Sequence, residues 1–298
     1  MKILFTGANG FLGRNVIPIL KTNNHQVSTL SRTNSDFNTD LSKEIPVLTE
    51  HYDLVFHAAG KAHFIPKNKV ENKLFFDINL VGTQNICKSL EIVGLPKYFY
   101  FISTVAVYGA DTGENIDENT ALKGNTPYAQ SKIEAEKFLK NWCEKNNVIL
   151  YILRPSLIAG KNPPGNLGDM IKAIKTGKYV NVGGGKAKKS VVWAADFAQV
   201  VEIGLSKNGG VYNVCDDIQP DFFAFSKVIS AKLEKKLPPN IPFFIIKSVA
   251  IVGDLLGSKF PLNSKKLEKI TNSLTFSNAK IKRELGFQPT NVIQNFEL

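Results

Sequence analysis

Cysteine is scarce in this chain. Cys87, Cys143 and Cys215 stand far apart in 298 residues, and no CxxC or Cys/His cluster groups them. A disulfide framework is excluded and no metal site is expected; the setting expected is a reducing one, the cytoplasm. Long apolar runs are also missing. The best, 241–257 (IPFFIIKSVAIVGDLLG), carries Lys247 and Asp254 and falls short of the ~20 apolar residues needed to span a bilayer. No stable membrane insertion is expected. The segment reads as a helix buried in a small substrate domain, with peripheral membrane contact as the alternative. The chain opens directly on a strand pattern, so no signal peptide is expected. No repeat or low-complexity tract is visible. Although the net charge is +11, the lysines are dispersed and form no basic arm with interleaved aromatics, which argues against nucleic acid as a partner. A solvated lysine-rich surface that steers anionic ligands fits better.

What is present is alternation. Strand patterns at Lys2–Phe5, Gln26–Leu30, Leu54–His57, Tyr98–Ile102 and Ile149–Leu153 are separated by helical patterns at Phe11–Leu20, Val70–Val93 and Tyr128–Asn146. Repeated βα units predict a doubly wound parallel sheet of Rossmann type, with ligands beyond the carboxyl ends of its strands. After Arg154-Pro155 the texture changes to the loop-forming GKNPPGNLG of 160–168. The division expected is a dinucleotide-binding domain over 1–160, to which 188–215 returns. A smaller, mostly helical substrate domain takes 161–187 and 216–298. Within the returning stretch, Val191–Trp193 and Val211–Val214 read as strands, and Asp196 as the N-cap of a helix between them.

The first strand runs straight into Thr6-Gly7-Ala8-Asn9-Gly10-Phe11-Leu12-Gly13 and then a helix. Strand, glycine-rich turn and helix form the context of a dinucleotide fingerprint. Glycine accepts the tight turn, the free N–H groups of the helix start favour a diphosphate, and the third glycine permits close packing. The second strand ends at Leu30 and is followed by Ser31-Arg32, not by the carboxylate that holds the ribose hydroxyls of NAD. A hydroxyl and a guanidinium suit a 2′-phosphate, so NADP is the expected cofactor, with NAD possible. Asp40 and Leu41 are candidates for the adenine edge.

Tyr128 and Lys132 stand at i and i+4, on one helical face. An ammonium beside a phenol lowers its pKa and gives a tuned proton donor beside a hydride carrier. Ile102-Ser103-Thr104 closes a strand, where a hydroxyl can orient a substrate oxygen.

Together these motifs resemble the extended short-chain dehydrogenase/reductase family, in its nucleotide-sugar epimerase/dehydratase/reductase branch, over nearly the whole length. TGANGFLG (6–13), His57-Ala58-Ala59-Gly60, Asn79-Leu80-Val81-Gly82-Thr83, Val107-Tyr108-Gly109, Tyr128 with Lys132, Arg154-Pro155 and Leu285-Gly286-Phe287-Gln288-Pro289 carry the resemblance. It implies Thr104, Tyr128 and Lys132 as catalytic residues. It implies cofactor contacts from Gly7, Asn9, Gly10, Phe11, Leu12, Gly13, Ser31, Arg32, Asp40, Leu41, His57, Ala58, Ala59, Asn79, Ile102, Tyr128, Lys132 and Pro155. Substrate contacts are implied for Lys61, His63, Thr104, Asn166, Leu167 and Lys189. Lys189 stands where many relatives carry Arg, and Trp193 where many carry His.

The reaction expected is NADPH-dependent reduction at C4 of a 4-keto-6-deoxy nucleotide-sugar for polysaccharide biosynthesis, by a homodimer built on the two long helices. A UDP-sugar 4-epimerase with tightly bound NAD is the alternative, and a non-catalytic NADP-binding scaffold the lesser one. Dehydration is disfavoured, because Val105-Ala106 occupy the place of the Asp-Glu pair of dehydrating relatives.

Overall fold

The structure, a computed structural model, describes residues 1–62, 64, 66–205, 207–256 and 263–298. Its first half contains β1 (Lys2–Thr6), α1 (Phe11–Thr22), β2 (Gln26–Ser31), β3 (Phe37–Asn38), β4 (Leu54–His57), α2 (Lys69–Phe76), α3 (Gly82–Val93), β5 (Tyr98–Ile102), β6 (Gly113–Ile116) and α4 (Pro127–Lys145). There follow β7 (Ile149–Pro155), β8 (Leu157–Ala159), α5 (Gly165–Lys175), β9 (Asn181–Val182), β10 (Val191–Trp193), α6 (Asp196–Gly204) and β11 (Gly210–Val214). The chain ends with α7 (Phe222–Lys232), β12 (Asn240–Ile241), α8 (Phe243–Leu256), α9 (Ser264–Thr271), β13 (Leu274–Phe276) and α10 (Ala279–Leu285).

Seven strands form one sheet in the order β11-β7-β5-β4-β1-β2-β3, and every pairing in it is parallel. The central strands are buried on both faces, which is why they read as unbroken apolar runs. One face carries an aromatic ladder that crosses five strands. Phe5 stacks on Phe56 at 4.6 Å between ring centroids, Phe56 on Tyr100 at 6.3 Å, Tyr100 on Tyr151 at 4.3 Å and Tyr151 on Tyr212 at 6.3 Å. Such cross-strand pairs fix register as well as adding contact energy. The ladder also anchors a helix: the Tyr151 hydroxyl donates to the Gly204 carbonyl at the end of α6. A Cβ on Gly204 would lie 2.1 Å from the Tyr100 hydroxyl oxygen.

Four local expectations change. The helix read as Val70–Val93 is two helices joined by a π-helical turn, Asp77–Val81. There Asn79 turns inward to Lys61 and Ser131, and Thr83 Oγ1 caps the Asn79 carbonyl at 2.6 Å. Asp196 is not a helix cap; its carboxylate accepts the backbone N–H and hydroxyl of Thr290. Not all of the C-terminal stretch stands apart from the large sheet, since Ile281, Leu285 and Phe287 share a core cluster with Ile3 and Phe5. A separate, smaller core joins Leu167, Met170, Phe225, Ile229 and Phe296. Finally, α8 is not buried. Ala250 and Gly253 face inward while Phe243, Phe244, Ile245, Val249, Ile251 and Val252 are exposed. Gly257, the last residue of that expected helix, lies outside the described residues.

Candidate active site

Two cavities lie beyond the carboxyl ends of the parallel strands. The first, about 360 Å³, is lined by the β1–α1 loop, the ends of β4, β5 and β7, and the start of α4. The second, about 630 Å³, is walled by α5, α9 and the Tyr179–Ser190 stretch. Leu157 lines both.

The β1–α1 loop is held from below. Gly7 has φ +74° and touches the β4 exit, so a Cβ there would lie 2.7 Å from the Ala59 nitrogen. Gly13 lies flat on Ala8, with 2.0 Å left for a Cβ, and packs α1 against its own loop rather than facing the cavity. Asn9 donates from its backbone to Ser31 Oγ at 3.2 Å and from its side chain to the Thr33 carbonyl. No side chain caps the start of α1, and Gly10, Phe11 and Leu12 line the cavity. Open N–H groups at a helix start are an anion site when they face a cleft.

His57 is wholly buried behind the loop. Its Nδ1 meets Thr6 Oγ1 at 2.7 Å and its Nε2 meets Thr83 Oγ1 at 3.0 Å. Burial, with the nearby Lys132 charge, pushes its pKa down to about 3. The side chain therefore braces the glycine loop and does not line the cavity, whereas Ala58 and Gly60 do. Ala59 donates its backbone N–H to Thr6 Oγ1. Asn79 is likewise placed behind the cavity, where its amide clamps the backbone of Lys61 and bonds Ser131 Oγ at 2.8 Å.

The catalytic candidates do come together. Thr104, Tyr128 and Lys132 all line the first cavity, with Ile102, Pro155 and Lys61. Thr126 caps α4 and Pro127 opens it, which sets Tyr128 and Lys132 on the cavity side of its first turns. Thr104 Oγ1 accepts from the Ala106 N–H at 3.1 Å. Burial raises the Tyr128 phenol, and a hydrogen bond from Thr104 pulls it the other way. The net direction is upward, opposite to the lysine-softened phenol expected from the i, i+4 spacing. Burial, not the neighbouring lysine, sets the direction. Lys132 is buried, and its pKa falls to about 7, with Glu136 opposing the fall. Its ammonium donates one hydrogen bond, to the Ile102 carbonyl at 2.8 Å. Gly60 leaves room for it: a Cβ there would lie 3.1 Å from Lys132 Nζ. A buried three-donor group with one protein partner, at the wall of a cleft, fits the paired hydroxyls of a nicotinamide ribose.

The pH consequence has a definite sign. Between about pH 7 and the ordinary lysine range, the unfolded chain holds a proton on Lys132 that the folded chain has lost, so stability contributed by this group rises with pH. From pH 7 to pH 9 the wild-type protein should gain about 2 kcal/mol relative to Lys132→Met. Denaturant unfolding of both proteins at the two pH values measures the gain, and equal changes would refute it.

Sequence reasoning missed a buried network under this floor. Glu136, one further turn along α4, accepts from Arg154 Nε at 3.0 Å, from Arg154 Nη2 at 2.6 Å and from Ser103 Oγ. Arg154 Nη1 also donates to the Tyr108 hydroxyl, which donates to Asn213 Oδ1 at 2.7 Å. Ser103 and Thr104 both line the cavity, but the Ser103 hydroxyl is committed to Glu136. The signal available in the sequence was the i, i+4, i+8 series Tyr128, Lys132, Glu136 on one face.

Other candidates divide. Arg32 is exposed and has no ion-pair partner among the described residues. The Asp40 carboxylate is taken by the N–H and hydroxyl of Ser42. Leu41 is in a core cluster, with its carbonyl bonded by Asn85; neither Asp40 nor Leu41 lines either of these two cavities. Asn166 and Lys189 line the second cavity, Lys189 with its ammonium on the carbonyls of Lys269 and Asn272. Leu167 is buried in the smaller core. His63 lies outside the described residues. The second cavity's walls of Tyr179, Phe222, Ile270 and Phe276 carried no sequence signal, because they come from four separated segments.

A curated relative, N-acetyl-alpha-D-glucosaminyl-diphospho-ditrans,octacis-undecaprenol 4-epimerase of Escherichia coli O157:H7, is 26% identical over 297 residues, covering 94% of this chain and 88% of that protein. Among solved structures, RMD from Pseudomonas aeruginosa complexed with NADPH superposes with a TM-score of 0.72 at 21% identity, over 98% of this chain and 95% of that one. UDP-glucuronic acid 4-epimerase from Bacillus cereus, in complex with UDP-glucuronic acid and NAD, gives 0.74 at 20%, over 99% and 96%. Residues 3–215 match the NAD dependent epimerase/dehydratase family. That stretch holds the glycine loop, Thr104, Tyr128 and Lys132, and the chain belongs to this family of NAD(P)-dependent enzymes.

Proposed function

We propose that the protein is an NADPH-dependent reductase acting on the C4 keto group of a 4-keto-6-deoxy sugar nucleotide, in the cytoplasm and as a homodimer through α2–α3 and α4. The observation that carries the reading is the end of β2. Ser31 and Arg32, which has no ion-pair partner among the described residues, stand beside the Asn9 loop, and no carboxylate occupies that position. A reductase needs a fresh reduced cofactor at each turnover, and a 2′-phosphate selects it.

The bound dinucleotide supplies hydride. The chain's own residues do the rest. The N–H groups of Phe11 and Leu12 receive the diphosphate, and the remaining donors of Lys132 bind the ribose. Thr104 donates to the sugar oxygen, and Tyr128 delivers its proton to that oxygen as it becomes an alkoxide. Asn166 and Lys189 in the second cavity receive the sugar's diphosphate. A phenol with a raised pKa is held protonated, which suits the reductive direction.

A 4-epimerase is the second reading, supported by the activity named for the Escherichia coli and Bacillus cereus proteins. Both readings use the same three residues, but they differ in cofactor. Arg32→Ala should raise the Michaelis constant for NADPH by about ten- to hundredfold, the value of a charge-assisted contact, and leave that for NADH unchanged. Incubation with NADPH and a panel of UDP- and dTDP-4-keto-6-deoxy sugars should consume the reduced cofactor. Stoichiometric NAD carried through purification, with no net consumption of NADPH, would replace the reductase by the epimerase.

A further inference from the structure

We propose that α8 is an interfacial helix by which the protein docks on an anionic lipid bilayer, with the mouth of the second cavity turned toward that surface. The helix is turned inside out relative to an ordinary amphipathic one. Its small residues pack inward, with Ala250 at 0% exposure, while Phe244 is 70%, Ile251 50% and Val252 49% exposed. Phe243, Ile245 and Val249 are exposed as well, and such a grouping of exposed large apolar side chains marks an interaction site. At 14 residues the helix is about 21 Å long, and no described helix is long and apolar enough to cross a membrane. It can lie in an interface but not span one.

Charge selects the occupant. Residues 232–269 hold eight lysines against three acidic residues. Asp254, the single acid of α8, is already taken by the N–H and hydroxyl of Ser264, which clip α9 to α8. Lys247 is exposed among the apolar residues of α8, and Lys232, Lys235 and Lys236 are exposed at the end of α7 and just after it. A second copy related by a two-fold axis would set these lysine-rich rims against each other. Anionic headgroups neutralise them instead, while the apolar side chains enter the acyl boundary. The helix also borders the cleft. Phe243 lies beside Gly183, where a Cβ would approach it to 3.5 Å, next to Val182 of the cavity wall. Lys269 and Ile270 of α9 line the same cavity.

The test is co-sedimentation of the full chain with phosphatidylcholine vesicles, with and without about one-third phosphatidylglycerol, alongside the double variant Phe244→Glu/Val252→Glu. Both side chains are exposed and line neither cavity, so NADPH affinity and Tm should be unchanged in the variant. Binding to the anionic vesicles, loss of it in high salt, and weakening by roughly tenfold or more in the variant are the expected results. Absence of binding, equal binding to neutral vesicles, or binding that the variant retains would overturn the proposal. So would a wild-type dimer in sedimentation velocity that the variant converts to monomer, since a second copy would then cover the face.

Discussion

Tyr128→Phe should lower kcat by about two to four orders of magnitude, the usual contribution of a positioned general acid, and leave the affinity for NADPH unchanged. The phenyl ring keeps the contact with Phe75, whose centroid lies 6.0 Å away, and the start of α4 keeps its cap. Only the hydroxyl beside Thr104 is removed. Thr104→Ala removes the companion donor and should cost less, because the proton itself still comes from Tyr128. A kcat for Tyr128→Phe within tenfold of wild type would show that another group, or water, supplies the proton. Cofactor affinity, read by fluorescence titration, separates this from collapse of the cavity.

Glu136→Ala should destabilise the protein by about 3–5 kcal/mol, the cost of leaving a buried charge without its partner. Arg154 and Glu136 are both almost fully buried, and two guanidinium nitrogens meet the carboxylate. Taking the pair from water is costly, and the contact offsets that cost only while both ends are present. Replacing both with methionine should therefore recover most of the loss. Denaturant unfolding of the single and double variants is the measurement. A single variant that costs less than about 1 kcal/mol would mean that water reaches the guanidinium. The pair also matters to the site, since Glu136 holds Ser103, which lines the cavity beside Thr104. Loss of Glu136 should lower kcat through Thr104 as well as lowering Tm.

Much of this arrangement was legible in the sequence because its signals are local. The glycine loop, the proline-opened helix and the β-strand runs each announce themselves within ten residues or so. Their periods and breakers follow from backbone sterics. What escaped is non-local. The aromatic ladder from Phe5 to Tyr212 needs five strands in register. The inward turn of Asn79 needs the π-helical step that splits the long helix. His57 reads as a cofactor neighbour by its position after β4, but its ring faces Thr6 and Thr83, because a strand's side chains alternate and this one falls on the core side. The phenol at Tyr128 shows the same limit in electrostatics. Spacing reveals that a lysine stands one turn away, but whether charge or burial wins depends on how much protein surrounds both. Helix α8 was misread for a related reason: apolar residues on every side predict burial, and only the packed structure shows that its large side chains face outward.

The claim on which the account rests is that hydride passes between a nicotinamide ring and a sugar carbon whose oxygen lies at Tyr128 and Thr104. NADPH deuterated at its transferable position, incubated with wild-type enzyme and a dTDP- or UDP-4-keto-6-deoxy sugar, tests it most directly by mass spectrometry of the product. The account predicts one deuterium bound to C4 of the sugar, formed with wild-type enzyme and lost with Tyr128→Phe. An unlabelled sugar, or label that arrives equally fast without the Tyr128 hydroxyl, would contradict it.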